Sequence, residues 1–441
     1  MEILLFFRWL NEDILALPAT ILFLGTGIWF TFKSRFIQFR AFGRFIRMIS
    51  SGFKRKEQTD TTGHVETMSG FNALFTAMAT SIGTGSIVAP SLAIIAGGPG
   101  ALFWLIIYLF FGSVTKFTEA VFAMHTREFT GDQKKLVGGP MQYLRVIHPW
   151  LAAWYGTIML LLYFFGWQTV QANTLANIYA QEHVPHWVVG LVLAFSTYYI
   201  LSGGARLVGH VASKVVPGMF LLYVCFSFYI LGQDISLVWQ ALKLIVTDAL
   251  TPSAIFGGIA AQTMFASMHA GVYRGIFISE AGLGTSSIAH AMADTKNGRD
   301  QAILAMYSTI ADVILSLISG LLILVTNVWM QQTSLKATLI YDVFKLYVPG
   351  VGQIVLLLSI TLFVFTTVLG NGFNGMQIFA TFTKFRWIKV YIAAISAVVF
   401  IGALMPVPLV WAMMDTLLAL ATIPNLLGLL ILSARKPELL K

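Results

Sequence analysis

Long apolar segments, separated by shorter polar ones, recur along the whole chain. Eleven of them lie near residues 13–32, 70–96, 100–124, 151–180, 187–203, 212–232, 255–275, 302–329, 350–380, 388–405 and 409–433. A helix needs about 17–25 mostly apolar residues to cross the hydrocarbon of a bilayer, and the segments are close to that length. Because lipid offers the backbone no hydrogen-bond partners, a chain that crosses it forms helices. The pattern predicts an all-α polytopic membrane protein with about 11 transmembrane helices.

The amino-acid composition agrees with lipid as the main solvent of this chain. Of its 441 residues, 57% are hydrophobic and only 11% are charged, whereas about a quarter of the residues in soluble domains are charged. Too few polar side chains remain to cover a surface in water, which excludes an ordinary soluble protein. The single cysteine, Cys225, excludes a disulfide framework and a cysteine-based metal site.

The basic residues are distributed unevenly between the two faces of such a chain. With the N-terminus outside, 23 of the 28 lysines and arginines, Arg274 among them, fall in segments on the inner face. Membrane proteins carry an excess of basic residues on their cytoplasmic side. We therefore predict a multi-pass protein of the cell's inner (plasma) membrane, with the N-terminus outside and the C-terminus in the cytoplasm.

The second apolar segment contains a stretch that favours a broken helix. Residues 77–86 read Ala-Met-Ala-Thr-Ser-Ile-Gly-Thr-Gly-Ser, and Pro90 follows. Glycine weakens a helix, and serine and threonine side chains compete for its backbone hydrogen bonds. The freed carbonyl groups of a broken helix can bind a cation, and its freed N–H groups can hold a carboxylate. The alternative is a continuous helix that packs through small residues, as is common in membranes.

A second candidate break lies early in the seventh segment, at Gly257-Gly258-Ile-Ala-Ala-Gln262-Thr263. Paired breaks at corresponding positions of two halves indicate a transporter binding site. We therefore predict an N-terminal extra helix and basic loop (residues 1–69), a first five-helix repeat (70–232) and a second (233–441). Five spans reverse the direction of the chain, so the two repeats would be inverted. The argument is positional, since the halves show no similarity in sequence.

Several motifs in collinear order carry a resemblance to a known family. They are Phe71–Ser86, Ala96–Trp104, Thr115–Glu119, Gly138–Met141, Val170–Asn173, Arg274–Gly284, Ile288–His290, Phe365–Gly370 and Ile423–Leu426. In this order they resemble the alanine or glycine:cation symporter family, from about Phe71 to the C-terminus. The resemblance implies a LeuT-like fold of two inverted five-helix repeats preceded by one extra helix. It also implies uptake of alanine or glycine driven by sodium, with the proton as an alternative coupling ion.

The resemblance further implies where the transported solutes bind. By analogy with the fold, sodium would be held by the carbonyl groups of Ala79 and Ile82 and by the hydroxyl groups of Thr366 and Thr367. The substrate would contact Thr84, Gly85, Ser86, Gln171, Gln262 and Thr263. Of these, the first three offer backbone N–H groups to the substrate carboxylate, and the others contribute side chains from the fourth and seventh helices.

The chain departs from the family pattern at three of these places. One is the family's loop motif Ser-Asn-Glu-Ala-Gly-Leu-Gly, which reads Ile278-Ser-Glu280-Ala-Gly-Leu-Gly here. The first motif of the family ends in asparagine, where this chain has Ser86, whose shorter hydroxyl replaces an amide. After Gly370 the usual aromatic cluster is replaced by Asn371-Gly-Phe-Asn-Gly375. These departures bear on the coupling ions and the substrate range rather than on the fold.

Ionisable residues inside apolar segments are costly, so each requires an explanation. Lys116 and Glu119 are three residues apart on one helix and are predicted to face each other, either as a structural pair or as a gate contact. Asp312 and Asp415 are interpreted as gate or proton sites, or as buried hydrogen-bonding groups. Glu280 is interpreted as a clamp between a helix and a loop rather than as a ligand. His269 and His290 have a weaker claim to pH sensing.

These observations predict a secondary active symporter that takes up a small neutral amino acid with sodium by alternating access, not an enzyme. Its partners would be the amino acid, the cation and the lipid bilayer, with no nucleic acid and no bound cofactor. Within the same class, the alternative is a proton-coupled carrier of another small or D-amino acid. A channel built on the same broken helix is a third possibility. Nothing in the sequence bears on the oligomeric state.

Overall fold

The chain is almost entirely helical in this computed structural model, which describes residues 2–52, 69–130, 135–250, 264–295, 297–331 and 338–440. The α-helices are α1 (Glu2–Arg8), α2 (Ala16–Lys33), α3 (Ile37–Arg40), α4 (Phe42–Gly52), α5 (Gly70–Ser81), α6 (Thr84–Gly97), α7 (Gly100–Thr126), α8 (Pro140–Arg145), α9 (Pro149–Leu162), α10 (Gln168–Ala180), α11 (His186–Ser202), α12 (Gly204–Leu231), α13 (Ile235–Leu250), α14 (Met264–Ser279), α15 (Thr285–Ala291), α16 (Gly298–Val325), α17 (Leu339–Tyr347), α18 (Val351–Thr383), α19 (Ile388–Leu404) and α20 (Val407–Arg435). Short π-helical turns cover Trp9–Leu15 and Tyr163–Trp167, and 3₁₀ turns cover Val328–Gln331 and Pro437–Leu440.

The prediction of an all-α chain is wrong at one small place. Strands β1 (Glu128–Thr130) and β2 (Lys135–Val137) follow α7 and pair antiparallel, with Glu128 opposite Val137. The hairpin lies in the polar segment between two spans, where periodicity over a few residues gives too weak a signal to predict strands.

Most of the predicted spans have a counterpart among the helices. In the described residues, seven helices are long and apolar enough to cross a membrane: Gly70–Gly97, Gly100–Thr126, Pro149–Ala180, Leu207–Leu231, Gly298–Val325, Val351–Thr383 and Val407–Arg435. Shorter apolar helices cover Leu17–Lys33, His186–Ser202 and Ile388–Leu404. The remaining predicted span, 255–275, is described only from Met264, as part of α14. The full count of eleven therefore stays a prediction.

The predicted break in the second span is confirmed. Helix α5 ends at Ser81 and α6 begins at Thr84, so that Ile82 and Gly83 leave the helical conformation. Gly83 is extended, with φ −137° and ψ −152°, and the N–H of Gly83 donates to the carbonyl oxygen of Ser81 at 3.0 Å. The two half-helices are nearly completely buried inside the protein, as irregular backbone at membrane depth requires.

Glycines bring α18 close to this break. A Cβ atom added at Gly83 would lie 2.3 Å from Oγ1 of Thr367 on α18, and one at Gly370 would lie 2.7 Å from Cγ2 of Thr80 on α5. Real Cβ atoms essentially never approach other atoms so closely. The absence of side chains at these two positions therefore lets α18 pack directly against the end of α5 and the break.

Candidate functional site

The predicted sodium ligands lie on both sides of this contact between the break and α18. The hydroxyl of Thr367 donates to the carbonyl oxygen of Ile82 at 3.2 Å, and both residues are buried. Ala79 lies less than one turn before Ile82 at the end of α5, next to the backbone of Gly370. The hydroxyl of Thr366 instead donates to the carbonyl oxygens of Leu362 and Phe363 in its own helix, at 3.0 and 3.1 Å.

The predicted substrate residues Thr84 and Gln171 meet at the start of α6. Both the backbone N–H and the hydroxyl of Thr84 donate to Oε1 of Gln171, at 3.2 and 2.9 Å respectively. Gln171 projects from α10 and is buried. An amide oxygen therefore lies at the N-terminus of α6, where N–H groups and the helix dipole favour a negatively charged group such as a carboxylate.

The neighbouring predicted residues Gly85 and Ser86 pack beside the start of α6. Gly85 lies against α14, where an added Cβ would be 3.2 Å from the ring of Phe277. The hydroxyl of Ser86 donates across the break to the carbonyl oxygen of Ser81 at 3.4 Å. Gln262 and Thr263, together with the second predicted break, lie outside the described residues.

Asn371 is a buried polar residue near the break that was not among the predicted site residues. It lies one helical turn after Thr367 on α18 and is fully buried. Within the described chain, neither its amide nitrogen nor its amide oxygen has a hydrogen-bond partner. An unpaired buried amide costs free energy, so an ordered water molecule or a polar ligand would complete its hydrogen bonds. The four-residue spacing from Thr367 was the signal in the sequence.

The predicted clamp at Glu280 is confirmed, and it holds α5, the first half of the broken helix. Glu280 follows α14 in a tight loop with φ +57°, and its carboxylate accepts a hydrogen bond from the hydroxyl of Thr80 at 2.9 Å. The hydroxyl of Thr285, at the start of α15, donates to the same oxygen. This carboxylate therefore joins the loop and α15 to α5 just before the break.

The predicted direct pair between Lys116 and Glu119 is wrong. Lys116 on α7 lies 3.7 Å from the carboxylate of Asp312 on α16 and 3.4 Å from the hydroxyl of Ser308. Glu119 accepts instead from the amide of Asn425 on α20, at 3.0 Å. Packing of α16 and α20 against α7 supplies each side chain with a partner that lies far away in the sequence.

Arg274 and Asp415 form a second ion pair, which joins α14 to α20. Two guanidinium nitrogens of Arg274 donate to the two carboxylate oxygens of Asp415, each at 2.8 Å. The guanidinium also lies 5.1 Å from the ring centre of Trp411. Such parallel, charge-assisted bonds are strong and specific in geometry. Arg274 therefore lies within α14 and pairs inside the helix bundle, and its assignment to the inner face stays a prediction.

Comparison with known proteins shows which class of protein contains this site. The family model for the sodium:alanine symporter family matches residues 3–441. The chain belongs to the sodium:alanine symporter family. Members of this family are transporters rather than enzymes, and the broken helix with its polar surroundings is therefore part of a symporter.

Two relatives support this membership, and one solved structure has a similar fold. The sodium/alanine symporter AgcS of Methanococcus maripaludis is 33% identical over 86% of this chain and 84% of its own length. An uncharacterized transporter of Haemophilus influenzae is 32% identical over 87% and 83% of the two chains. A Na⁺-coupled sialic acid symporter, solved in a substrate-bound outward-open state, is 13% identical, with a TM-score of 0.53 over 97% of this chain and 84% of that chain. This last likeness shows a LeuT-like transporter fold and nothing about substrate.

Proposed function

We propose that this symporter takes up a small neutral amino acid, alanine or glycine, together with sodium by alternating access. The proposal rests on the broken helix. At the end of α5 the carbonyl group of Ile82 meets the hydroxyl of Thr367. At the start of α6, Thr84 meets the side-chain amide of Gln171. The contact of Thr367 with Ile82 offers oxygen ligands to a cation. The start of α6 offers N–H groups to a carboxylate. A zwitterion and a cation can thus be held next to each other.

In this proposal the residues divide into two groups by their chemistry. Sodium is bound by the carbonyl groups of Ala79 and Ile82 and the hydroxyl of Thr367, with Thr366 in a secondary role. The amino acid is bound by Thr84, Gly85, Ser86, Gln171, Gln262 and Thr263, to which the buried amide of Asn371 is added. Binding of the amino acid carboxylate at α6 would displace the oxygen of Gln171 from Thr84.

The proposal includes how the protein sits and moves in the membrane. Eleven spans place the N-terminus outside and the C-terminus in the cytoplasm of the inner membrane. The five-helix repeats 70–232 and 233–441 rock against each other around the broken helix, as in carriers built from inverted repeats. The gradient of the cation supplies the free energy for uptake.

Uptake of labelled alanine into proteoliposomes tests the function directly. We expect uptake with an inward sodium gradient and little uptake when choline replaces sodium at the same pH. Glycine, serine and D-alanine are compared as competitors, and Ser86→Asn shows whether the family residue changes the range. Uptake that follows a proton gradient without sodium would favour the proton-coupled alternative. Absence of tracer counterflow, with flux that does not saturate, would favour a channel.

The two adjacent threonines of α18 give a matched test of the sodium site. Thr367→Val should raise the sodium concentration for half-maximal uptake by roughly ten- to 150-fold, since one charge-assisted contact is worth roughly 1.5–3 kcal/mol. Thr366→Val should change it by less than about threefold, because that hydroxyl already donates to carbonyls of its own helix. Equal effects of the two substitutions would contradict the assignment of Thr367 as the closer ligand.

A further inference from the structure

A run of basic residues follows the first apolar helix of the chain. Residues 33–56 contain eight lysines and arginines and no aspartate or glutamate. Clusters of about four to eight basic residues beside a membrane span are typical of segments that bind anionic lipids. Basic residues also orient a chain in the membrane, which requires positive charge but no particular arrangement of side chains. The arrangement of the side chains therefore distinguishes the two roles.

The middle of this run forms α4, which packs at the start of α16. The ring of Phe45 stacks on that of Tyr307, with 4.4 Å between the ring centres. Arg44 pairs with Asp300, in the first turn of α16, at 2.6 Å. Helix α16 is apolar and long enough to cross a membrane, and the charged first turn of such a span lies at the membrane surface. Helix α4 therefore lies at the boundary between lipid and water.

Helix α4 carries exposed apolar and basic side chains on different sides. Phe42 and Ile46, four residues apart, share one side, and these side chains are 50% and 48% exposed. Arg44 and Arg47, three residues apart, share the opposite side. Phe39, shortly before α4, adds further exposed apolar surface. A helix with one apolar and one basic side lies in the plane of a membrane surface, with its apolar side among the acyl chains.

Four arginines come together on the basic side of α4 and form what we call the arginine cluster. Arg40 and Arg44 lie close enough to Arg299, at the start of α16, for their charges to repel it. Arg44 and Arg47 line a depression whose wall includes Asp300. One carboxylate balances one positive charge, so Asp300 does not neutralise the cluster. An anion bound between these guanidinium groups would relieve their repulsion.

We propose that the arginine cluster and the apolar side of α4 form a binding site for an anionic phospholipid. The phosphate of the headgroup binds in the depression between Arg44 and Arg47, because guanidinium groups donate parallel hydrogen bonds to phosphate oxygens. The acyl chains lie along Phe42 and Ile46. The ligand is a lipid rather than a soluble phosphate, since the basic and apolar residues adjoin each other on one short helix. The predicted topology places the site in the inner leaflet, where anionic lipids attract basic segments.

Thermal unfolding of the purified full-length protein in detergent tests this site without any measurement of transport. Phosphatidylglycerol, an anionic lipid, should raise the midpoint of unfolding in a saturable way, because it binds the folded protein. Phosphatidylcholine with the same acyl chains should raise it far less, since it carries no net charge. Soluble glycerol 3-phosphate should also raise it far less, since it has no acyl chains. An equal rise with glycerol 3-phosphate would contradict a lipid site and indicate a site for free phosphate esters.

A double variant tests whether the arginine cluster binds the headgroup. Arg40→Gln with Arg47→Gln removes two exposed arginines and leaves the pair of Arg44 with Asp300 in place. The concentration of phosphatidylglycerol that gives half of the rise should increase by roughly tenfold or more, since each basic residue near an anionic surface contributes about fivefold in affinity. An unchanged concentration would overturn the proposal.

The matched control removes two other basic residues from the same predicted face. Arg386 and Lys389 are exposed and lie between the end of α18 and the first turn of α19. Arg386→Gln with Lys389→Gln should change the phosphatidylglycerol concentration by less than about twofold, because it leaves the arginine cluster intact. If this control weakened the response as much as Arg40→Gln with Arg47→Gln, the total charge of the face would be sufficient, and a site at α4 would be refuted.

Asp300→Asn should act in the opposite direction. Loss of the carboxylate frees Arg44 for the phosphate, so the phosphatidylglycerol concentration for half of the rise should fall by about threefold to fivefold. Each variant is compared with itself with and without lipid, so a lower stability of the variant does not obscure this gain. An unchanged or weaker response in Asp300→Asn would contradict binding of the headgroup at Arg44.

Discussion

Replacing Gly83 with alanine should abolish most sodium-dependent uptake. The new Cβ would lie 2.3 Å from Oγ1, 3.0 Å from Cβ and 3.1 Å from Cγ2 of Thr367. The hydroxyl of Thr367 would have to leave the carbonyl oxygen of Ile82, or α18 would have to move away from the break. Overpacking of this kind costs about 1–3 kcal/mol, which corresponds to roughly five- to 150-fold in sodium affinity.

The steric and chemical parts of this effect can be separated. Gly83→Ala combined with Thr367→Ala removes the contacts with Oγ1 and Cγ2 and leaves only that with Cβ at 3.0 Å. Much of the thermal stability lost in the single variant should therefore return, while sodium affinity should not. Gly25→Ala on α2 is the matched control, because a Cβ there meets no atom within 4 Å. Sodium affinity is read from the sodium dependence of alanine binding to the purified protein. Wild-type affinity in Gly83→Ala would contradict a sodium site between the break and α18.

The broken helix could be predicted because its cause is local. Glycine, serine and threonine within a few residues weaken the same turn, and the structure interrupts the helix at Ile82 and Gly83 within that stretch. The membrane spans could be predicted for the same reason, since the length and hydropathy of a segment depend on that segment alone. The clamp at Glu280 was also recognised, although its partner on α5 was not.

The partners of the buried charges could not be predicted in the same way. Lys116 has a nearby carboxylate three residues later in its own helix, yet it pairs with Asp312 from α16. Spacing along one helix shows which side chains share a face, but it does not show which other helix packs there. The partner of Arg274 was missed for the same reason, because only the packing of α14 against α20 reveals its pair with Asp415.

Asn371 shows a further limit of reasoning from the sequence. Its position in the motif was visible as a departure from the family, but an asparagine in an apolar helix is usually bonded to a neighbouring helix. Its role can be inferred only from the structure, in which neither amide atom has a hydrogen-bond partner among the described residues.

Removing the charge of Lys116 should have the largest effect on stability of any substitution considered. Lys116→Met leaves Asp312 without its cation and leaves Glu119 and Glu280 with no compensating charge. Breaking a buried ion pair by removing one partner costs about 3–5 kcal/mol, because the remaining charge stays buried. We therefore expect a large fall in the midpoint of thermal unfolding, measured on the purified protein in detergent, and a low yield of folded protein.

A double variant distinguishes a charge effect from the loss of packing. Lys116→Met with Asp312→Asn removes both charges and keeps side chains of similar size, so most of the lost stability should return, since replacing both partners of a buried pair is often nearly neutral. Lys389→Met, at an exposed position at the start of α19, is the matched control and should shift stability by less than about 0.5 kcal/mol. If the double variant were as unstable as Lys116→Met alone, the ammonium group would be stabilising something other than Asp312.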